Sequence, residues 1–206
     1  MASVKLYVTT GSPYARMARM MVLEKGLGKR VEIVPAQTRT DDSPYYRINP
    51  SGRVPYLVCD DGVGLEESSL ICAYLDRLDG EPQFQLPADE RWLEARRLEG
   101  FARSMVDGVS VWNREMARPA HELSPGIMLH EKARAERMED LWEREIGHPL
   151  MRGAFNMIQL TLLCCLGLEA RTAEFRWREG RPKLDDWFRR VSARASFAAT
   201  APALPV

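Results

Sequence analysis

The sequence predicts a two-domain α+β protein, in which a small mixed domain with the element order βαβ then ββα precedes an all-helical domain. Runs rich in Val, Leu and Tyr with strand-like spacing occur only within residues 1–80. A Pro-containing segment follows Gly80, and beyond it the apolar residues recur at helical spacing. We therefore expect a first domain at 1–80, a linker at 81–88 and a helical domain at 89–206.

The first domain begins with a strand, and the order of its elements predicts a sheet. Gly11-Ser12-Pro13 ends the first strand and starts a helix, because Ser is a good N-cap and Pro fits the first helical position. Asp60-Asp61-Gly62 is typical of a hairpin turn. The first two strands should pair in parallel through a right-handed crossover. The predicted strands are 4–9, 31–34, 54–59 and 62–65, and the predicted helices are 13–25 and 67–78.

The second domain should contain four helices, at 90–117, 126–146, 156–168 and 184–191. The helix at 156–168 is so apolar that we expect it to be central and buried. The Ala- and Pro-rich tail at 198–206 is expected to be irregular.

Composition narrows the function classes. The 206 residues include 29 Lys+Arg and 29 Asp+Glu, so the formal net charge is zero, and neither nucleic acid nor an anionic membrane is the default partner. The four cysteines form no CxxC pair, which favours buried thiols in a reducing compartment over a zinc site. No secretory signal is visible, and the most apolar stretch is too short to span a bilayer. We expect a cytoplasmic protein with no metal.

Three short segments could carry chemistry. Ser12 stands where a helix N-terminus would stabilise an anion such as a thiolate, although taken alone it is more simply an N-cap. Pro55 interrupts a strand-like run. A cis bond at a bend would leave the backbone of Val54 free to pair with an extended peptide, whereas a trans Pro could simply start a strand. The residues alone do not decide between these two.

The third segment is Glu66-Glu67-Ser68-Ser69 at the start of a helix. Acidic residues and Ser are ordinary capping residues there. Alternatively, the Ser68 hydroxyl and the helix N–H groups could bind the carboxylate of an α-amino acid, while Glu67 binds its ammonium group.

Taken together, the three segments resemble the glutathione-binding domain of cytosolic glutathione S-transferases. The resemblance lies in SPYARMARM at 12–20, NPSGRVPYL at 49–57 and LEESSLICAYLD at 65–76, and it continues in REMARP at 114–119 and FAATAP at 197–202. It implies a thioredoxin-like N-terminal domain, an all-helical C-terminal domain and a homodimer. The sequence departs from the family pattern at the start of the buried helix of the second domain. The family has Ser/Thr there and Asp three residues later, whereas this chain has Asn156 and Gln159, which can still form a reciprocal capping box.

The resemblance also implies roles for individual residues. Ser12 matches the catalytic serine of the theta-like and related bacterial classes. Val54 and a cis-Pro55 match the turn that binds the peptide backbone of glutathione. Glu67 and Ser68 match the pair that holds the γ-glutamyl group, and Arg53 stands where a basic residue often assists. Tyr7 lies outside the position of the catalytic tyrosine in other classes, so we interpret it as a sheet residue.

The function that follows is activation of glutathione as a thiolate that attacks small hydrophobic electrophiles, as in detoxification. Dehalogenation, isomerisation or peroxide reduction would use the same thiolate. A non-catalytic interaction module is the alternative of a different class. A glutaredoxin-type Cys-Pro-Tyr-Cys turn is replaced here by Ser12-Pro13-Tyr14-Ala15, so dithiol exchange at this turn is excluded.

Three further features have simpler interpretations. The electrophile pocket should lie between Tyr14 and the long helix after the linker, but the stripe on that helix is more typical of core; it consists of Met105, Val109, Trp112 and Met116. The three histidines lack metal-ligand spacing and are expected at the surface or in local hydrogen bonds. The Arg-rich stretch at 176–194 is interpreted as a solvated helix face.

Overall fold

A computed structural model describes residues 4–172 and 174–202 of the chain. The chain forms two compact units. The first contains the residues up to Gln85 together with the segment from Arg194 onward, and the second runs from Leu86 to Ala193. The boundary at 80 and the linker at 81–88 stay predictions. The last four residues of the predicted irregular tail, 203–206, lie outside the described residues.

A four-stranded sheet forms the first unit, with the strand order β2-β1-β3-β4. The first two strands pair in parallel, and the last two form an antiparallel hairpin, as predicted; β1 and β3 are also antiparallel. The crossover is a helix whose apolar side is buried. In chain order the elements are β1 (Val4–Val8), α1 (Pro13–Glu24), β2 (Val31–Pro35), β3 (Tyr56–Val58), β4 (Gly64–Glu66) and α2 (Ser68–Arg77).

The core of this unit lies between the sheet and the two helices, which contact each other. Its fully buried side chains come from alternate strand positions and from helix positions three or four apart, as both periodicities require. They include Leu6, Leu57, Met17, Met20, Met21, Ile71 and Leu75.

The third strand is shorter than predicted. We expected it to begin at residue 54, but ladder pairing starts at Tyr56, opposite Tyr7 of β1. Pro55 has no N–H to donate to the ladder, so the residues up to it form a bend instead. The polar loop at 36–43 leads into a 3-10 helix at Pro44–Arg47 that the sequence did not predict.

The second unit is helical throughout the part that the structure describes, as predicted. Its central helix is buried at every position, which confirms the expectation from its composition. In chain order the helices are α3 (Trp92–Met116), α4 (Pro125–Glu145), α5 (Pro149–Arg152), α6 (Met157–Leu166) and α7 (Pro182–Ser192).

The cap of α6 forms only half of the predicted reciprocal box. Asn156 Oδ1 accepts hydrogen bonds from the N–H groups of Ile158 and Gln159, at 3.0 and 3.2 Å. Gln159 does not reach back to the Asn156 N–H; its amide donates instead to the carbonyls of Leu150 and Ala154, at 3.0 and 2.9 Å. These two carbonyls of the preceding turn also accept from the Asn156 side-chain amide, and they compete with the box for the Gln159 amide.

Two interpretations of side-chain stripes are now decided. Met105, Val109 and Trp112 are at most 2% exposed, so they belong to the core, as expected, whereas Met116 of the same stripe is only half-buried. The solvated-face interpretation of the Arg-rich stretch is wrong for its central residues. Arg178 pairs with Glu169 and Asp185, and Arg181 pairs with residues of α4. The partners of Arg178 lie within nine residues of it, whereas those of Arg181 are about forty residues away in the sequence.

Of the tail that was expected to be irregular, Ala198 and Ala199 are helical, whereas 200–202 lie outside any helix or strand, as expected. A short helix, α8 (Ala195–Ala199), belongs to the first unit rather than to the predicted helical domain. Its attachment to α1 is polar: Arg194 pairs with Glu24, and the side chain of Arg16 donates to the Phe197 carbonyl. Within the described residues, no helix is both long enough and apolar enough to cross a membrane.

Candidate functional site

One row of the sheet brings the three predicted segments to the same end of the first unit. Tyr56 of β3 pairs with Tyr7 of β1 on one side and with Glu66 of β4 on the other. Pro55 directly precedes this row and Glu67 directly follows it. Ser12 lies five residues beyond Tyr7 along the chain. The amino ends of both α1 and α2 therefore start from this one end of the sheet.

Ser12 is the N-cap of α1, with an extended backbone conformation. Its Oγ accepts a hydrogen bond from the Ala15 N–H at 3.2 Å. A hydroxyl can accept and donate at once, and within residues 4–172 and 174–202 the Ser12 hydroxyl donates to no acceptor. The first turn of α1 carries no acidic side chain, so its partial positive charge is not neutralised from within the helix. The hydroxyl and the helix terminus can therefore both stabilise an anion.

The Val54–Pro55 peptide bond is cis, which decides between the two interpretations that the residues left open. Val54 is half-buried, and its N–H and C=O make no hydrogen bond with any residue that the structure describes. A free donor and a free acceptor on one residue, next to a strand, are suited to pairing with an extended peptide backbone.

The approach to this bend is held by two residues that the sequence analysis did not single out. The Tyr45 hydroxyl and the Asn49 side-chain amide both donate to the carbonyl of Arg53, the latter at 3.0 Å. Tyr45 and Asn49 are 4% and 1% exposed. Burial of the ring raises the pKa of Tyr45, so its hydroxyl stays a donor at neutral pH. Asn49 lies within the NPSGRVPYL motif, and its position before Pro50 was the available signal.

The Arg53 side chain has no charged or polar partner among the residues that the structure describes. This side chain is exposed, and its guanidinium makes no hydrogen bond or ion pair within the described part of the chain. The loop that carries it is tied to β4, because the Ser51 hydroxyl accepts from the Arg53 N–H at 3.2 Å and donates to Glu66 at 2.9 Å. Arg53 therefore remains available to an anionic ligand at the edge of the site.

Glu67 is the N-cap of α2 and has an unusual backbone conformation, and Ser68 is the first residue of the helix. Glu67 has φ +82°, a region that non-glycine residues rarely occupy, and such strain is concentrated at functional sites. Its carboxylate accepts from the Ser69 N–H at 2.9 Å and from the Ser68 hydroxyl at 3.2 Å. The Ser69 hydroxyl also donates to it. Glu67 is exposed and Ser68 is 3% exposed.

Ser69 was not singled out as a separate candidate in the sequence analysis, although it lies in the Glu-Glu-Ser-Ser run. Its two hydrogen bonds to Glu67 orient that carboxylate. Together, the start of α2 presents a carboxylate beside a buried hydroxyl and free helix N–H groups, a combination that suits the ammonium and carboxylate of an α-amino acid.

Comparison with known proteins agrees with this geometry. A family model described as the N-terminal domain of glutathione S-transferase matches residues 11–78, a range that includes every predicted site residue. YibF of Escherichia coli K12, described as an uncharacterized GST-like protein, is 29% identical over 202 residues, which are 97% of this chain and 98% of YibF.

Solved structures extend the similarity to both units. A glutathione transferase family member from Pseudomonas fluorescens Pf-5, crystallised with bound glutathione, is 27% identical and has a TM-score of 0.86 over 98% of this chain and 100% of that one. A glutathione S-transferase from Methylobacillus flagellatus, also with glutathione bound, gives the same identity, TM-score and coverage. Residues 11–78 therefore form a glutathione S-transferase N-terminal domain, and the chain has the fold of the glutathione transferase family.

Within this fold, the thioredoxin-like first unit and the helical second unit are both confirmed. Glutaredoxin 2 of E. coli K12 is 32% identical over 109 residues, which are 50% of this chain and 47% of that protein. The present chain has Ser12 and Ala15 where a dithiol turn needs two cysteines, and its four cysteines are all free thiols.

Three further predicted features can be described separately. Tyr7 is half-buried in β1, with its ring centroid 5.7 Å from that of Tyr45, in line with its interpretation as a sheet residue. His148 caps α5 through Nδ1, which accepts from the Leu150 N–H at 3.2 Å. Among the described residues, no group of three or more His, Cys, Asp or Glu side chains could hold a metal ion.

Proposed function

We propose that this protein binds glutathione at the shared end of β1, β3 and β4 and holds its thiol as a thiolate for attack on small hydrophobic electrophiles. The observation that carries the proposal is the place of Ser12: its hydroxyl caps α1 with a free proton to donate, at the same sheet end as the Val54 backbone and the Glu67–Ser68 pair. Two relatives of the same fold hold glutathione in their crystal structures.

The activation has a physical basis. A cysteine thiol has a pKa of about 8.5, so only a few per cent is thiolate at neutral pH. Lowering that pKa by about two units requires about 2.7 kcal/mol. A charge-assisted hydrogen bond from Ser12 and the amino end of α1 together supply a stabilisation of this size. No general base is needed at the sulfur.

Each remaining residue has a separate role in the proposal. The Val54 N–H and C=O pair with the cysteinyl backbone of glutathione. Ser68 and the amino end of α2 bind the γ-glutamyl carboxylate, while Glu67 binds its ammonium group. Arg53 attracts the glycyl carboxylate from the edge of the site. The proposal also places the enzyme in the cytoplasm as a homodimer with a role in detoxification.

Conjugation is the reaction that we propose, and dehalogenation, isomerisation and peroxide reduction share its thiolate. A panel that pairs glutathione with an aryl halide, an epoxide, an alkyl halide, an organic hydroperoxide and a cis/trans-isomerisable unsaturated ketone distinguishes these reactions. Release of halide without a stable conjugate, or consumption of hydroperoxide alone, would replace conjugation by the corresponding activity.

The test of activation is Ser12→Ala, measured by the ultraviolet absorbance of bound thiolate against pH. We expect the pKa of the bound thiol to rise by about one to two units while the glutathione Kd changes by less than about threefold. Ser124→Ala is the matched control, since Ser124 is also a serine N-cap, with Oγ 3.4 Å from the Ile127 N–H of α4.

Two results count against the proposal. If Ser12→Ala ionises bound glutathione as fully as the wild type, Ser12 is not the activating residue. If the wild-type protein is not retained on immobilised glutathione and instead carries a stable protein partner, the interaction-module alternative replaces the enzyme.

A further inference from the structure

The last described segment of the chain is attached to both ends of α1. At the carboxyl end of the helix, Arg194 donates two hydrogen bonds to Glu24, at 2.9 and 2.5 Å, and the Ser196 hydroxyl donates to the same carboxylate. Nearer the amino end, Arg16 donates to the Phe197 carbonyl at 2.8 Å and to the Thr200 hydroxyl at 3.3 Å. We call residues 194–200 the terminal clamp.

Arg16 is the point at which the terminal clamp meets the first turn of α1. The residue is 5% exposed, and its guanidinium lies 3.7 Å from the centroid of the Phe197 ring. Its backbone N–H donates to the Ser12 carbonyl at 2.9 Å, which closes the first turn of the helix. Long helical side chains generally extend back toward the preceding turn, and for Arg16 that turn is the one that Ser12 begins.

The clamp residues are themselves fixed, so they can hold Arg16 in one place. The Thr200 hydroxyl that accepts from Arg16 donates to the Ser196 carbonyl at 2.8 Å. Ser196 in turn donates to Glu24. A continuous chain of hydrogen bonds therefore runs from the first turn of α1 to its last. Arg19 adds a hydrogen bond to the Thr200 carbonyl at 3.3 Å.

We propose that Arg16 is a positioning residue for glutathione activation: the terminal clamp fixes its guanidinium, and Arg16 fixes the first turn of α1, from which the Ser12 hydroxyl meets the sulfur. This inference rests on the proposed function of Ser12. A hydrogen bond weakens steeply when its angle or distance departs from the optimum, so a small rotation of this turn costs thiolate stabilisation. Arg16 also carries a buried positive charge and stands one helical turn after Ser12 in the chain, and a positive charge favours a nearby anion.

The attachment at Glu24 supplies the matched control. It joins the same clamp to the same helix, but at the end remote from Ser12. A clamp that only stabilised the fold would make variants at the two ends behave alike. A clamp that positions Ser12 makes only the Arg16 end affect the thiol.

The experiment uses the full chain and compares Arg16→Met and Thr200→Val with Glu24→Gln. The ultraviolet absorbance of bound glutathione is followed against pH, and the glutathione Kd is measured alongside. We expect Arg16→Met to raise the pKa of the bound thiol by about one unit, so that about tenfold less thiolate is present below both pKa values, with Kd within about threefold. Thr200→Val should raise the pKa of the bound thiol by about half as much. Glu24→Gln should lower Tm and leave the pKa of the bound thiol unchanged.

A second measurement follows amide hydrogen exchange without glutathione. Arg16→Met and Thr200→Val should speed exchange at the Ala15 and Arg16 amides, whereas Glu24→Gln should speed it at the Lys25 amide of the last turn. If Arg16→Met does not fold, Thr200→Val carries both tests. The inference is overturned if neither Arg16→Met nor Thr200→Val moves the thiol pKa, or if Glu24→Gln moves it as far.

Ser12→Ala, measured in parallel, separates the two proposals. A shift with Ser12→Ala and none with Arg16→Met removes only the positioning role. No shift with Ser12→Ala removes the proposed activation by Ser12 and the inference with it. Failure of the wild type to bind glutathione also removes both proposals. The hydrogen-exchange data then show only whether the terminal clamp orders the first turn of α1.

Discussion

The carboxylate of Glu67 accepts a hydrogen bond from the backbone N–H of Ser69 at 2.9 Å and so caps α2 from a residue with φ +82°. A non-glycine residue held at positive φ costs about 1–3 kcal/mol, which the surrounding structure must offset. The residue that we propose for the ammonium group of glutathione therefore also stabilises the helix that carries Ser68. Replacing Glu67 should therefore affect both glutathione binding and folding. Binding needs the negative charge, whereas the cap needs only a hydrogen-bond acceptor.

Glu67→Ala should weaken glutathione binding by about 2–3 kcal/mol, because the ligand ammonium loses its charged partner. It should also lower the free energy of unfolding by about 1 kcal/mol, since the cap is lost. Calorimetric titration with glutathione measures the first effect, and urea unfolding of the ligand-free protein measures the second.

Glu67→Gln separates these two effects. The glutamine carbonyl can still accept from the Ser69 N–H, so unfolding should change by less than about 0.5 kcal/mol, while glutathione affinity still falls because the charge is gone. Wild-type affinity in both variants would remove Glu67 from the binding site.

Local sequence patterns predicted the sheet end well because the deciding residues act on their own neighbours. Ser12 and Pro13 specify a helix start, and the Asp60-Asp61-Gly62 turn pairs β3 with β4. Once the strand order is known, the ends of β1, β3 and β4 coincide, so three separated motifs come together. The start of β3 was missed because the residues did not decide whether Pro55 starts the strand or lies in a bend before it.

The polar contacts between distant segments could not be predicted in this way. Arg194 and Glu24 are 170 positions apart, and nothing in the pattern around Arg194 indicates a carboxylate partner. For the same reason the sequence analysis assigned the end of the chain to the helical domain. The Gln159 amide failed the expected capping box because carbonyls of a turn that was not predicted compete for it.

Lys25 forms a buried charged contact at the end of α1, and its removal should destabilise the first unit. Its side chain is 0% exposed and lies 2.9 Å from Asp79 and 3.7 Å from Asp76. Asp76 keeps two backbone donors, at 2.9 and 3.0 Å, when the lysine is lost. Lys25→Met should therefore lower the free energy of unfolding by about 2–3 kcal/mol, somewhat less than for a fully orphaned charge. Urea unfolding measures the change.

Lys29→Met is the control for Lys25→Met, because Lys29 lies on an exposed 3-10 turn four residues later. It should change stability by less than about 0.5 kcal/mol. The Lys25 hydrogen bond also holds the pKa of Asp79 below its usual value, so in Lys25→Met the Asp79 pKa should rise toward normal when followed by NMR. An equal loss in both lysine variants, with no change at Asp79, would contradict a specific role for the buried pair.

Glu139 should make the stability of the second unit depend on pH near neutrality. Its side chain is 5% exposed on α4, and burial raises its pKa to about 7, with Glu136 and Asp140 adding to the effect. Arg181 opposes the shift at 2.9 Å, but its guanidinium is shared with Asp140 at 2.8 Å. The shared cation does not offset the burial.

The direction in which the free energy of unfolding changes with pH follows from which state binds the Glu139 proton more tightly. Between the unfolded pKa of about 4.5 and the folded value of about 7, the folded protein binds the Glu139 proton more tightly than the unfolded chain does. Stability from this group is therefore complete below about pH 4.5 and is lost as the pH rises through about 7. We expect the free energy of unfolding to fall by about 1–2 kcal/mol between about pH 5 and pH 8, after allowance for solvent screening.

Glu139→Gln should remove this fall, because the amide does not titrate, and the variant should be more stable than the wild type at pH 8. Glu136→Gln, an exposed neighbour on the same helix, should keep the fall and move it slightly to lower pH, since one nearby negative charge is gone. Urea unfolding at several pH values measures both. If Glu139→Gln keeps the wild-type slope, the Glu139–Arg181 pair outweighs burial and Glu139 is charged throughout this range.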